Sequence, residues 1–375
     1  MMINFDNAAT TFPKPASVRI AAEKAIVRYG NAGRGGHPIA ARTSELVYAA
    51  REAAADFFGA QPDQVVFTLN CTHALNLAIQ GIAQEGGHLI ISSLEHNSVL
   101  RPVYALAKQG RIRYSIAPVK ETAAETLQSF SERIRPDTRA VICTLASNVT
   151  GQVLPWREIG ALCQKRNICM IADGAQVCGM RPVSLSDGIN ILCLPGHKGL
   201  YGLTGTGLLI SDGKFPLPPL MQGGSGSRSR SPEQPAEMPD ALECGTLNIA
   251  GIASVRAGLA FVKKRGMQAI YEHENMLCRL LIAQLSQIPG VTVCRLPHAD
   301  YMPIVSFCLD GMPSEEAAAA LGKQGFCLRA GLHCAPLAHH SMGTAEGTVR
   351  FSPSAFSRAE DVASLGRAVR SLCVQ

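Results

Sequence analysis

One lysine, Lys198, stands between an apolar run and a chain of glycines in LCLPGHKGLYGLTGTG, residues 192–207, with His197 directly before it. A lysine in that setting is a surface charge, a phosphate ligand or the covalent anchor of a carbonyl cofactor. Its company narrows the choice. Four more short apolar runs end in polar clusters: VVFTL runs into NCTHALN, LIISSL into EHNS, VICTLA into SNVTG and CMIA into DGAQ. If the runs are strands of one open sheet, their carboxyl ends deliver Thr72, His96, Asn148, Asp173, Gln176, His197 and Lys198 to one edge, where such sheets bind ligands.

Taken singly, each residue has an ordinary reading. Thr72 is a helix N-cap, His96 a loop histidine, Asn148 and Gln176 turn or cap residues, Asp173 a solvated turn aspartate, and Lys198 an exposed loop cation. Together they supply an amine, a carboxylate, a ring able to stack and a helix start with free N–H groups. Pyridoxal phosphate asks for that set. The lysine forms a Schiff base with its aldehyde, the carboxylate keeps its pyridine nitrogen protonated, and the helix N-terminus takes its phosphate. Lys198 is therefore expected to be the covalent anchor.

The elements that must position these groups follow the same pattern. From about residue 64 to 211, apolar runs alternate with longer amphipathic stretches, which predicts an α/β fold with buried strands in a mostly parallel sheet. QGGSGSRSRSPEQPAEMPD, residues 222–240, reads as a long loop. Helical periodicity returns in IASVRAGLAFVKKRG and HENMLCRLLIAQLSQIPG, and VTVCRLP, PIVSFCLDG, EEAAAALGKQG and TVRFSPSAF then alternate strand and helix as a smaller α+β domain. Two domains suit a chain of 375 residues with 47% hydrophobic content. A net charge of +6 with scattered basic residues argues against nucleic acid as a partner. The amino-terminal residues carry no secretory pattern and no run is long enough to span a membrane, so a cytoplasmic protein without membrane partners is expected. No metal motif is present. The 13 cysteines form no CxxC pair and lie mostly in apolar runs, where a thiol behaves as a small hydrophobe.

In order along the chain, DNAATT, EHNS, SNVTG, ADGAQ, GHKGLYGLTGTG, LECGTLN and RAGLHCAP resemble the class-V aminotransferase group, in particular its cysteine desulfurase and selenocysteine lyase branch. The resemblance runs from about residue 5 to 350. It implies a fold-type-I homodimer dependent on pyridoxal phosphate, with a large cofactor-binding domain at 15–251 and a small domain made of 1–14 and 252–375. It also implies Lys198 as the Schiff-base lysine, Asp173 as partner of the pyridine nitrogen, His96 as the stacking ring and Gln176 as donor to the phenolic oxygen. Thr72 and His197 would hold the phosphate with Thr246 of the partner subunit, and Cys71 joins the cofactor-binding set. Asn148 and Arg350 would grip the substrate carboxylate, which suits a guanidinium fork, while Arg34 and His37 would line the entrance.

Cys334 decides the reaction. Its segment, RAGLHCAPLAHH, is rich in Gly, Pro and His, so the cysteine is expected in a mobile loop, with His333, His339 and His340 near enough to help ionise it. In the resembling family a cysteine here takes sulfur from L-cysteine as a persulfide and releases alanine. A selenocysteine lyase is the nearest rival reading. An aminotransferase or kynureninase-like lyase would leave Cys334 idle, and a silent scaffold would use none of these groups. Two features depart from many relatives. Gly199 is inserted between the lysine and Leu-Tyr-Gly, and the interval from Cys334 to Arg350 is short, as in members whose turnover depends on a sulfur-acceptor protein.

Overall fold

Each apolar run presents two sets of alternate side chains, and both are buried in the computed structural model, which describes residues 2–33 and 35–373. After a short strand β1 (Ile3–Asn4) and helices α1 (Ala16–Arg28) and α2 (Pro38–Phe58), the chain alternates β2 (Val65–Thr68), α3 (Cys71–Ile82), β3 (His88–Ser92), α4 (Asn97–Lys108), β4 (Arg113–Ala117), α5 (Ala123–Ser131), β5 (Thr138–Thr144), α6 (Trp156–Arg166) and β6 (Cys169–Asp173). Strands β7 (Ile191–Pro195) and β8 (Gly207–Ser211) complete a seven-stranded sheet in the order β2-β8-β7-β6-β5-β3-β4. Every strand but β8 points the same way. Leu89, Ile91, Ile142, Ile171 and Ile191 face one core, where α3 and α4 contribute Leu75, Ala78, Val99 and Val103. Ile90, Val141, Met170 and Leu192 face the other, against Val47, Phe58, Phe130 and Ile159. Helices on both faces explain why the strands read as continuous apolar runs. Edge strand β4 escapes that reading because RYSIA is half solvated, with only Ala117 fully buried.

Beyond β8, residues 212–248 contain neither helix nor strand, and the chain then forms α7 (Ile249–Arg265), α8 (Met267–Leu285), β9 (Val291–Val293), β10 (Val305–Leu309), α9 (Ser314–Lys323), β11 (Phe326–Cys327), α10 (Pro336–Met342), β12 (Val349–Phe351) and α11 (Ala359–Cys373). Strands β12-β10-β9 make an antiparallel sheet, and β1 pairs in parallel with β11. Phe5 joins Leu281, Phe307, Phe351 and Leu365 in the smaller core, so the two ends of the chain share one layer. The boundary expected at 251–252 falls inside α7. Ile252, Val255 and Leu259 of that helix enter the larger core, whereas Leu277 and Leu281 of α8 enter the smaller one. Val262 of α7 and Ile270 of α8 share a further small core with Tyr201 and Ala355.

The irregular 212–248 segment is tied down near its end by one buried ion pair. Arg51 of α2 donates to Glu243 (2.8 Å) and to the Val65 carbonyl, and the Phe67 N–H donates to the same carboxylate (2.6 Å). Glu243→Ala leaves that guanidinium buried without its counter-charge. It is expected to lower the unfolding free energy by about 3–5 kcal/mol in urea titrations; an unchanged midpoint would show that the pair does not anchor the segment.

Candidate active site

Where β2, β3, β5, β6 and β7 end, their following turns enclose a cavity of about 210 Å³. Cys71, Thr72, His96, Asn148, Asp173, Gln176, His197, Lys198 and Arg350 all line it, so the convergence inferred from the sequence is present in space. Asp173 is the last residue of β6 and is buried; its Oδ1 accepts the Ala175 N–H (2.9 Å) and lies 3.5 Å from Cys71 Sγ. Lys198 sits in the turn after β7. Burial pushes its amine down and the Asp173 carboxyl up, and in each case the charge of the other opposes the push.

The inserted Gly199 has a structural reason. A Cβ at Gly199 would stand 2.1 Å from the Cys178 carbonyl oxygen, and one at Gly179, whose φ is +95°, would stand 2.2 Å from the Gly199 carbonyl oxygen. The lysine turn and the aspartate turn are therefore pressed together backbone to backbone. A residue absent from the sequence reading supports the same turn: Lys14 Nζ donates to the His197 carbonyl (2.9 Å) and to Thr11 Oγ1 (2.7 Å). Burial lowers its pKa to about 8. Its signal was the DNAATTFPKP segment itself, whose role as a clasp depends on tertiary placement.

His96 caps α4: its Nδ1 accepts the Ser98 N–H (3.0 Å). That bond places the proton of the neutral ring on Nε2. Burial, aided by the charges of Lys198, Arg329 and Arg350, lowers its pKa to about 4, and burial with Lys198 and Lys14 does the same for His197. His197 Nδ1 is buried without a partner. Asn70 caps α3 by accepting the His73 N–H (2.9 Å), and Thr72 Oγ1 lies 2.8 Å from Ser98 Oγ. Gln176 Nε2 donates to the Ala8 carbonyl (3.2 Å), leaving its second N–H for a ligand.

Arg350, on β12, is almost fully buried. Nη1 donates to the Asn148 carbonyl (2.8 Å) and Nη2 to Asp6 Oδ1 (2.8 Å), while Nε is buried without a partner. Arg329 also lines the cavity and was missed in the sequence. Its backbone pairs with that of Arg350, whose N–H donates to the Arg329 carbonyl (2.7 Å), so two guanidinium groups share one site.

Among the described residues Cys334 is the one exposed cysteine. The expectation of a mobile loop needs correction. The Asn97 N–H donates to the Cys334 carbonyl (2.7 Å), Asn148 Nδ2 to the His333 carbonyl (2.8 Å), and His333 Nε2 lies 3.0 Å from the Thr348 carbonyl. These bonds hold His333 and Cys334 at φ of 49° and 58°, the left-handed region, at roughly 1–2 kcal/mol each. The proposed help from the histidines also changes. Burial and the Arg350 charge drive the His333 pKa to about 2, and His339, buried beside it at 5.7 Å between ring centroids, is lowered too. Neither ring supplies positive charge, and His340 is exposed.

Two expected contributors, Thr246 and His37, do not line this cavity. Thr246 lines a separate recess with Phe67, His73 and Asn248. His37 caps α2 by accepting the Ala40 N–H (3.3 Å) and is exposed. Arg34 lies outside the described residues. Among the described residues no helix is long and apolar enough to cross a membrane, and no group of His, Cys, Asp or Glu is placed to hold a metal.

The class-V aminotransferase family model matches residues 3–365. The chain belongs to that family. It is 30% identical, over 98% of its length and 94% of the relative's, to a probable cysteine desulfurase of Methanothermobacter thermautotrophicus. It is 31% identical to a cysteine desulfurase of Synechococcus elongatus over 99% of this chain, spanning 60% of that longer protein. The solved apo structure of a cysteine desulfurase from Thermococcus onnurineus superimposes with a TM-score of 0.93 at 26% identity, covering 100% of this chain and 95% of the other. The architecture is thus the fold type I of pyridoxal-phosphate enzymes.

Two outcomes follow from the site geometry. Gly199→Ala must separate the two turns and is expected to weaken pyridoxal phosphate binding by about 1–3 kcal/mol while far-UV circular dichroism stays unchanged; unaltered affinity would show that the turns yield freely. In NMR of histidine-labelled protein, His96 and His197 are expected to titrate near pH 4 rather than 6.5. Because the folded values lie below the unfolded one, these two groups oppose folding as the pH falls from about 6.5 through 4; titration near 6.5 would overturn the assignment.

Proposed function

We propose that the protein is a pyridoxal-phosphate-dependent cysteine desulfurase that converts L-cysteine to L-alanine and carries the sulfur as a persulfide on Cys334. The observation that carries this reading is the placement of the one exposed cysteine among the described residues. Cys334 is bonded through its carbonyl to the residue after His96, and both His96 and the adjacent His333 line the cavity that contains Lys198.

The donor set fits the cofactor. Cys71 and Thr72, in the first turn of α3 where backbone N–H groups lack partners within the helix, line the same cavity as His197, and this cluster suits a phosphate. The buried Asp173 carboxylate suits a protonated pyridine nitrogen, and the flat His96 ring suits an aromatic face. When bound, pyridoxal phosphate supplies an aldehyde for the substrate amine and a ring that draws electrons from the substrate Cα.

The chain's own residues do the rest. Lys198, its amine pushed below the usual lysine range by burial, is the covalent anchor and then a base at Nζ. His96 holds a proton at Nε2, available for transfer to or from the substrate. Arg350, through its free Nε, and Arg329 hold the substrate carboxylate, with Asn148 fixing the Arg350 fork. Cys334 Sγ forms an S–S bond to the substrate sulfur as the Cβ–S bond breaks; its electron pair stays on carbon and is protonated. Thiol plus cysteine thus gives persulfide plus alanine with no external oxidant. The protein works as a cytoplasmic homodimer in which Thr246 of the partner subunit completes the phosphate site. This accords with the position of Thr246 away from its own cavity and with the exposure of Ile26 and Val27 on α1. An acceptor protein removes the sulfur.

The test is a paired assay of the parent and Cys334→Ala enzymes, measuring alanine and sulfide from L-cysteine with dithiothreitol, and alanine and selenide from L-selenocysteine. Cysteine turnover is expected to fall by at least about 10³-fold in the variant, with a persulfide trapped on Cys334 of the parent. Cysteine turnover that survives the substitution would remove Cys334 as the nucleophile. Retained selenocysteine turnover alone would show that selenium release proceeds without it.

A further inference from the structure

Outside the Lys198 cavity, a groove of about 550 Å³ lies between α3 and α4 and has Cys334 in its lining. Its walls follow from helical spacing. Thr72, Asn76 and Gln80 recur every fourth residue on one face of α3, and Arg101 and Gln109 lie on the facing side of α4, with Arg111 just beyond its end. Thr72, His96 and Ser98 belong to the groove and to the Lys198 cavity alike, so the two meet beside Cys334.

The chemistry of the walls is one-sided. The lining contains two arginines and no carboxylate. Arg101 and Arg111 are exposed, and among the described residues neither has an ion-pair partner. The chain's net charge of +6 has the same sign. Amide side chains between the arginines offer donors and acceptors to a peptide backbone. The 12 residues of α4 extend about 18 Å, the length of five or six residues of extended chain at about 3.3 Å each. That is too long for a small thiol and suits a peptide segment.

We propose that this groove is the docking track for an acidic, extended segment of the sulfur-acceptor protein, which brings the acceptor's thiol to Cys334. The proposal rests on the desulfurase reading. In the transfer, the acceptor thiolate attacks the outer sulfur of the Cys334 persulfide. One S–S bond forms, the other breaks, and Cys334 leaves as a thiol: Cys334–S–SH plus R–SH gives Cys334–SH plus R–S–SH, with no net redox change. Charge complementarity along the track raises the encounter rate and fixes the direction of approach.

The test uses the full-length, cofactor-loaded enzyme charged with ³⁵S from labelled L-cysteine, then mixed with dithiothreitol or with either of two synthetic peptides. Both peptides carry a cysteine at one end of an extended segment, which is rich in Asp and Glu in one and in Lys in the other. The acidic peptide is expected to take label at least about tenfold faster than the basic one, with the advantage shrinking as salt is raised. Arg111→Glu should erase most of the preference, and Arg101→Glu with Arg111→Glu should reverse it. Discharge of Arg111→Glu to dithiothreitol should stay at the parent rate. Equal rates for the two peptides, or a preference that survives charge reversal, would overturn the docking assignment alone. So would a change in subunit number on sedimentation of the charge-reversed enzyme, which would give the groove to a second copy of the chain. If no label reaches Cys334, the desulfurase reading fails and takes the proposal with it.

Discussion

Two opposite charges, Lys198 and Asp173, are taken out of water at the ends of neighbouring strands, and much of the fold serves to keep them there together. Desolvating each ion costs several kcal/mol, recovered only if the partner or a ligand is held close. The parallel pairing of β6 with β7 fixes the two strand ends side by side. Helices on both faces exclude water, and the Gly179–Gly199 contact lets the two turns approach further than side chains would permit. The amino-terminal segment then clasps the lysine turn through Lys14, Thr10 and Thr11, all of which bond to the His197 carbonyl. The smallest residues in the site thus set its tightest dimension.

The cavity is also biased in sign. Lys198, Arg329 and Arg350 line it against Asp173. All three charges join burial in lowering the His96 pKa, Arg350 and Arg329 do so for His333, and Lys198 and Lys14 for His197. The histidines therefore act as faces, caps and single-proton donors rather than as cations. The excess positive charge calls for anionic ligands, and a phosphate with a substrate carboxylate meets that demand. Asp6 offsets part of it from outside the cavity, tying the first residues of the chain to Arg350.

How much of this was legible depends on how local each signal is. Strands buried on both faces announce themselves as apolar runs, so β2, β3 and β5 to β8 were readable, and with them the residues at their carboxyl ends. β4 was not, because RYSIA is only partly buried and its polar residues break the apolar run. Arg329 was not, since it reaches the cavity only through backbone pairing with Arg350 from a different strand. Lys14 bonds to a residue far along the sequence, which no local pattern encodes. In the RAGLHCAP segment Gly, Pro and His suggest mobility, while the bonds that tie the His333 and Cys334 carbonyls to Asn148 and Asn97 come from residues far along the sequence. The domain boundary expected at 251–252 followed the return of helical periodicity after the long loop, whereas Ile252, Val255 and Leu259 of α7 still pack into the larger core.

The restraint on Cys334 bears on how sulfur leaves. Asn97 is the first residue of α4, where a backbone N–H has no partner within the helix, and the Cys334 carbonyl fills that vacancy. One helix terminus therefore places both His96, through its cap, and Cys334, through its carbonyl. The short stretch from Cys334 to Arg350 leaves little slack, and β12 anchors its far end beneath the cavity. On the desulfurase reading proposed above, these bonds oppose outward movement of the thiol that would carry the sulfur. What a longer loop would achieve by movement must here be achieved by approach, and the open side of Cys334, toward the groove between α3 and α4, is the side from which approach is possible.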